Sequence, residues 1–179
     1  SVETEVLSKI LNAHFQRIID VCSLVYGKEN CIITSSIDRS IKVWNLNYIF
    51  EEDHHIDKHE LTIDSISIST EAGIAVTVTR SCVGVWDFRT GKLKFTLANT
   101  ALGAIVTHAV VSNNGDHVAA AESGEILYWN LNSQSIAFRE KLPGINQIEL
   151  NESQDKCLIG STVGSSGNFT GKVTIKNFP

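Results

Sequence analysis

The sequence predicts an all-β fold built from four tandem copies of one unit, on three observations. A six-residue pattern recurs every 42 to 47 residues, each recurrence closes a run of short β-branched segments, and turn formers separate those segments at regular intervals. The pattern reads Ile41-Lys42-Val43-Trp44-Asn45-Leu46, then Val83-Gly84-Val85-Trp86-Asp87-Phe88, then Ile126-Leu127-Tyr128-Trp129-Asn130-Leu131 and, more weakly, Val173-Thr174-Ile175-Lys176-Asn177-Phe178. All three Trp residues of the 179-residue chain stand in register. The repeats span approximately 1–47, 48–89, 90–132 and 133–179.

The first unit predicts strands from Ile18 to Leu24, Cys31 to Ser35 and Ile41 to Leu46, with a turn at Gly27-Lys28-Glu29-Asn30. The second predicts Ile63 to Ile68, Ile74 to Val78 and Val83 to Phe88, broken at Glu71-Ala72-Gly73. The third gives Ala104 to Val111, His117 to Ala121 and Glu125 to Leu131, around Asn113-Asn114-Gly115-Asp116. The fourth gives Gln147 to Leu150, Cys157 to Ser161 and Lys172 to Phe178. Ile49 to Glu52, Leu93 to Leu97 and Ser135 to Arg139 supply a fourth strand after each of the first three motifs. A four-stranded meander of this length cannot cover two faces and two edges alone. Stacking such meanders around a central channel covers the faces, so the sequence predicts a β-propeller of four consecutive four-stranded blades. Val6 to Leu11 reads as the outermost strand of a preceding blade, and the absence of Met with Ser1 at the start reads as an excerpt of something longer. Four blades could close if that first strand paired with the last blade, whereas the resemblance of the Trp-Asn and Trp-Asp endings to the WD-repeat family implies that they are part of a larger ring.

Composition removes several functions. At 42% hydrophobic and 20% charged residues the chain is expected to fold. Fifteen basic against twenty acidic side chains give a net charge of −5, without the run of Lys and Arg that duplex nucleic acid or an anionic bilayer selects, so neither is expected as a partner. Apolar runs such as Ala101 to Val106 fall far short of the roughly 18 to 20 residues that span a membrane, and no secretory signal is visible. Cys22, Cys31, Cys82 and Cys157 form no C-x-x-C pair and read as small reduced core residues, which places the chain in the cytoplasm.

With the Trp-Asn or Trp-Asp ending at this period, the chain resembles the WD-repeat family over essentially its whole length. The resemblance implies a buried ladder of His, Ser or Thr, Asp and Trp in each blade. Unit one carries it as His14, Thr34 or Ser36, Asp38 and Trp44. Unit two keeps His59 and Trp86, with Arg80 in place of the turn Asp and Val76 and Val78 where a hydroxyl is expected. Unit three keeps Trp129, has Ser123 at the Asp position, Glu122 beside it and His108 inside a strand, and unit four replaces the Trp with Lys176. The segments Val76 to Asp87, Gly91-Lys92-Leu93, Ala101 to Ala109 and Ala121 to Leu127 further resemble the C-terminal WD-repeat region of NACHT and WD repeat domain-containing proteins. That resemblance implies a nucleotide-binding ATPase module N-terminal to the propeller.

Sites with their own chemistry are weak. Gly160 to Val173 has Ser166 and Val173 where a P-loop needs Gly and a hydroxyl, so it reads as a flexible turn. His54, His55 and His59 with Asp53, Asp57 and Glu60 lack a second ligand pair at zinc spacing and read as a solvated loop between blades. Two glycosylation patterns, at Asn151 and Asn168, mean little without a secretory route. No cofactor or metal is expected. The sequence thus predicts a non-catalytic interaction module that binds other proteins, or other domains of its own chain, through loops on one end of the ring. Family geometry nominates Phe15, Arg17, Glu60, Thr62, Arg80 and Glu122, with Arg80 turned outward to meet a carboxylate. An autoinhibitory or sensor role toward a linked ATPase is the alternative. A propeller enzyme would need ionisable groups converging on the axis, where the inner strands are expected to offer mainly Ile, Val, Ala and Ser.

Overall fold

The computed structural model describes residues 14–46, 51–56, 59, 61–98, 103–151, 156–165 and 168–178. They form strands and no helix, arranged as four antiparallel meanders. The first blade holds β1 (Ile18–Tyr26), β2 (Glu29–Ser36), β3 (Ile41–Asn45) and β4 (Glu51–Ile56). The second holds β5 (Ser65–Ser69), β6 (Ile74–Val78), β7 (Cys82–Asp87) and β8 (Leu93–Ala98). The third holds β9 (Val106–Val111), β10 (His117–Glu122), β11 (Glu125–Asn130) and β12 (Ser135–Lys141). The fourth pairs β13 (Ile145–Leu150), β14 (Lys156–Ser165) and β15 (Asn168–Asn177), three strands among the described residues. Val6 to Leu11 lies outside the described residues. The architecture is a β-propeller segment.

Two expectations are corrected by strand pairing. The stretch with His54 and His55 is not a loop but β4, with His54 opposite Val43 and His55 opposite Lys42. The Gly- and Ser-rich stretch after Gly160 is likewise strand: β14 runs to Ser165 and β15 begins at Asn168, with Gly160 opposite Val173 and Val163 opposite Thr170. Main-chain ladders need no side chain, so a partner strand in reach overrides low intrinsic propensity.

The hydrophobic core lies between the sheets rather than within them. Ile33, Ile41 and Val43 of the first blade pack against Ile66, Ala75 and Trp86 of the second. Val76, Val78 and Val85 of the second pack against Val111, Val118 and Trp129 of the third. Ala119, Ala121 and Tyr128 of the third pack against Ile148, Cys157 and Ile159 of the fourth. The strand period of two explains the split: along β10, Val118 and Ala120 turn to one neighbour while Ala119 and Ala121 turn to the other. Each blade therefore lends one face to each neighbour. Cys157 is fully buried in such a seam, and burial pushes its thiol up to about 12. The outward faces of the first and last sheets stay open, with Val21 and Val25 on β1 and Val173 and Ile175 on β15 exposed.

The first strands β1, β5, β9 and β13 lie side by side and together line an axial pocket of about 180 Å³. Its wall carries Asp20, Asp64, Ser67, His108, Gln147 and Glu149. This corrects the expectation that the axis offers mainly Ile, Val, Ala and Ser, since ionisable Asp20, Asp64, His108 and Glu149 stand there too: alternation sends the side chains of Ile66, Val110 and Ile148 into the seams and leaves their neighbours toward the channel. Among the described residues no three or more His, Cys, Asp or Glu are arranged to hold a metal ion.

Candidate functional site

The rim where the first strands begin is built by turns that tie each lead-in segment to the hairpin behind it. In the first blade the tie is a directional chain of hydrogen bonds. Trp44 Nε1–H donates to Thr34 Oγ1 (3.0 Å), and Thr34 Oγ1 lies 2.7 Å from His14 Nε2. A carboxylate only accepts, so His14 Nδ1 donates to Asp38 Oδ2 at 3.1 Å. Asp38 also accepts from the Ser40 hydroxyl (2.6 Å), the Ser40 amide (3.0 Å) and the Phe15 amide (3.0 Å). Burial alone raises the Asp38 carboxyl, but the Ser40 hydroxyl and amide, the Phe15 amide and His14 outweigh it and hold it at about 2. Of the two hydroxyls open in the sequence, Thr34 joins the chain. Ser36 Oγ instead donates toward the Gln16 and Arg17 carbonyls and accepts from the Asp38 amide, fixing the turn.

The second blade keeps the indole bond and loses the carboxylate. Trp86 Nε1–H donates to Thr77 Oγ1 at 2.8 Å. The missing hydroxyl at Val76 or Val78 is thus corrected to Thr77, because the connection between β6 and β7 is one residue shorter than that between β2 and β3 and shifts the count from Trp. Gly84 faces Thr77 across the ladder, and a Cβ there would meet Trp86 Nε1 at 2.7 Å. His59 is buried and stacks edge-on to Trp86 with ring centroids 4.4 Å apart, while its Nε2 has no hydrogen-bond partner. Burial pulls its pKa down to about 4.

In the third blade Ala120 occupies the Thr34 position, so Trp129 packs without a facing hydroxyl. Ser123 does stand in for the turn Asp. Its Oγ accepts from the Ile105 amide at 2.9 Å, as Asp38 does from Phe15, and its own amide donates to the Ile105 carbonyl. In the fourth, Lys176 replaces Trp and reaches back to Glu140 of β12 at 2.7 Å.

Of the residues nominated for partner binding, Arg17, Thr62 and Arg80 come together. They line a cleft of about 380 Å³ between the first two blades, with Ile37, Leu61 and Asp64. Arg80 is exposed and forms no ion pair among the described residues. Phe15 stands at the same rim, 99% exposed. Glu60 lies outside the described residues. Glu122 is corrected: it is 3% exposed, because β10 is an inner strand whose faces are both covered, so its side chain is not presented on the rim. Sequence reasoning missed Leu61 and Ile105, exposed apolar residues in the segments that lead into β5 and β9. The available signal was their apolar type immediately before a strand start.

Comparison with known proteins agrees with this architecture. Over 112 residues, 56% of this chain, the sequence is 31% identical to the kinesin-like protein KIF21B of Homo sapiens, and a similar match is found to that of Mus musculus. The match covers 7% of those relatives, so the chain corresponds to a small part of a much longer polypeptide there. The family described as the NWD2 C-terminal beta-propeller matches residues 53–179, the three blades whose turns depart from the His–Asp pattern together with the end of β4. Because that match takes in well over half of the residues, the chain belongs to the NWD2 C-terminal β-propeller family.

Proposed function

We propose that this chain is a non-catalytic protein-interaction module that works through the rim where the first strands begin. The observation that carries the reading is the cleft between the first two blades, where Arg17, Thr62 and Arg80 meet Ile37 and Leu61. A surface that joins apolar groups to two arginines that form no ion pair among the described residues suits recognition more than folding. Family membership supports the further reading that the propeller is one part of a cytoplasmic signalling protein carrying a NACHT ATPase module. The open faces at Val21 and Val25 and at Val173 and Ile175 support its being part of a larger ring, since further blades would cover them.

The test is affinity capture with the full-length protein that contains this propeller, comparing the wild type with the Arg17→Ala/Arg80→Ala double variant. Partners retained by the wild type and lost by the variant, with unchanged circular dichroism, are the expected result. An identical partner set from both proteins overturns the assignment of this face.

A further inference from the structure

Three apolar side chains project from the same end of the ring. Phe15, Leu61 and Ile105 are 99%, 47% and 49% exposed, and they precede β1, β5 and β9 respectively. For two of them the cause is on view. The Phe15 amide is bonded to the Asp38 carboxylate and the Ile105 amide to the Ser123 hydroxyl, so each backbone is fastened to the turn behind it. One exposed apolar residue on a surface is ordinary, whereas one in the lead-in segment of each of three successive blades studs this end of the ring with apolar side chains. Leu61 itself lines the cleft with Arg17 and Arg80, and Phe15 stands two residues before Arg17; the cleft sets two guanidinium groups against the single carboxylate of Asp64 among its described walls. Neither arginine is ion-paired among the described residues. The cleft is thus locally positive on a chain of net charge −5, which selects for an anionic partner against the field of the whole molecule.

We infer that the rim binds an acidic peptide segment in extended form, with a carboxylate side chain held by Arg17 and Arg80 and its apolar neighbours resting on Phe15 and Leu61. This inference rests on the interaction-module reading and adds the chemistry of the partner. A planar guanidinium matches a carboxylate through two parallel N–H bonds, and a pair of them flanked by aliphatic walls reads a charge next to an apolar group rather than charge alone. Flanking Phe15 and Leu61 favour a peptide over a free anion, which would leave both side chains in water.

The experiment uses the full chain and fluorescein-labelled synthetic peptides in anisotropy titrations at physiological salt. One probe alternates Glu with Leu and Phe, a second replaces every Glu with Lys, and a third replaces every Leu and Phe with Ser. The Glu–Leu–Phe probe is expected to bind in the range of about 10 to 100 μM, the other two at least tenfold more weakly, on the order expected for a small, polar-rimmed site. Arg17→Ala/Arg80→Ala and, separately, Phe15→Ser/Leu61→Ser are expected to weaken that probe about tenfold, while Arg89→Ala, an exposed arginine outside the cleft, leaves it unchanged. Equal binding of the Lys probe, indifference to both double variants, or displacement of the probe by millimolar inorganic phosphate overturns the inference. If capture of cellular partners depends on Arg17 and Arg80 while the acidic probe fails to bind, the partner chemistry falls and the interaction module stands. If capture is also indifferent to them, both fall.

Discussion

The first and second blades answer the same physical problem in two ways. Each buries an indole N–H beside the lead-in segment of its blade, and each supplies a threonine hydroxyl to accept it. In the first blade that hydroxyl passes the chain on to His14, Asp38 and the Phe15 amide, so the polar groups run unbroken from the seam to the rim. In the second the chain stops at Thr77: His59 lies against Trp86 by its ring alone and keeps an unpartnered Nε2. The shorter turn brings no carboxylate inward and leaves Arg80 exposed at the rim. A network that is closed fixes its turn, and one that is truncated frees a turn residue for contact with something else.

The largest effect expected from breaking this comparison is at the indoles themselves. Trp86 is packed in the apolar seam between the first two blades, so Trp86→Ala is expected to cost about 3–5 kcal/mol, whereas Trp44→Ala is expected to cost less because Trp44, although equally buried, stands outside the three apolar clusters that join described blades. Urea denaturation of the two variants checks the order, and equal losses would mean that the seam is not where the stability resides. Gly84→Ala should follow in magnitude, at about 1–3 kcal/mol, since the added methyl has to displace Trp86 or Thr77.

Acidification separates the blades next. His59 titrates from an ordinary value of 6.5 down to about 4 in the folded protein, so its neutral form is favoured by folding. That stability is present above pH 6.5 and is lost as pH falls toward 4, by up to about 3 kcal/mol. Asp38 is lowered from 3.8 to about 2, so its contribution is present above 3.8 and is lost only as pH falls through 2. The second blade should therefore loosen first. Hydrogen-exchange protection measured between pH 7 and 4.5 is expected to drop across β5–β7 before β1–β3, and His59→Phe is expected to remove the difference. Simultaneous loss in both blades would show that His59 is not the group responsible.

The smallest expected difference is between the two hydroxyls. Thr34→Val strands both the Trp44 donor and His14, and Thr77→Val strands only Trp86, so the first should cost about 1–3 kcal/mol and the second about 1 kcal/mol. Thermal unfolding of the two variants resolves this, and a larger loss at Thr77 would reverse the account of which network is closed.

Much of the fold was legible because its signal is periodic. The three Trp residues and the β-branched runs placed the strands of the first three blades with boundary shifts of a few residues, since alternation reports burial on two faces directly. Ser123 at the turn position was legible too, through its spacing from Trp129 and the Gly124 that follows it. Thr77 was not, because a one-residue difference in turn length reverses which side of the strand a counted position faces. Glu122 was misplaced for a related reason: charge favours the surface on average, but a strand between two covered faces gives its side chain no outer side. The polar axis was missed because the same first strands contribute both to the seams and to the channel, and composition does not say which half of a strand goes where.

Residue pattern alone determined that this chain forms short strands in repeated meanders that need one another, because alternation and turn chemistry act within a few residues of themselves. Only the assembled sheets decided which threonine meets which indole, that His59 Nε2 is buried without a hydrogen bond, and that Arg17, Leu61 and Arg80 share one cleft. Those outcomes depend on turn lengths and on the stacking of separate blades, which bring together residues from 9 positions apart, as Thr77 and Trp86, to opposite ends of two blades, as Arg17 and Arg80, whose proximity no local preference encodes.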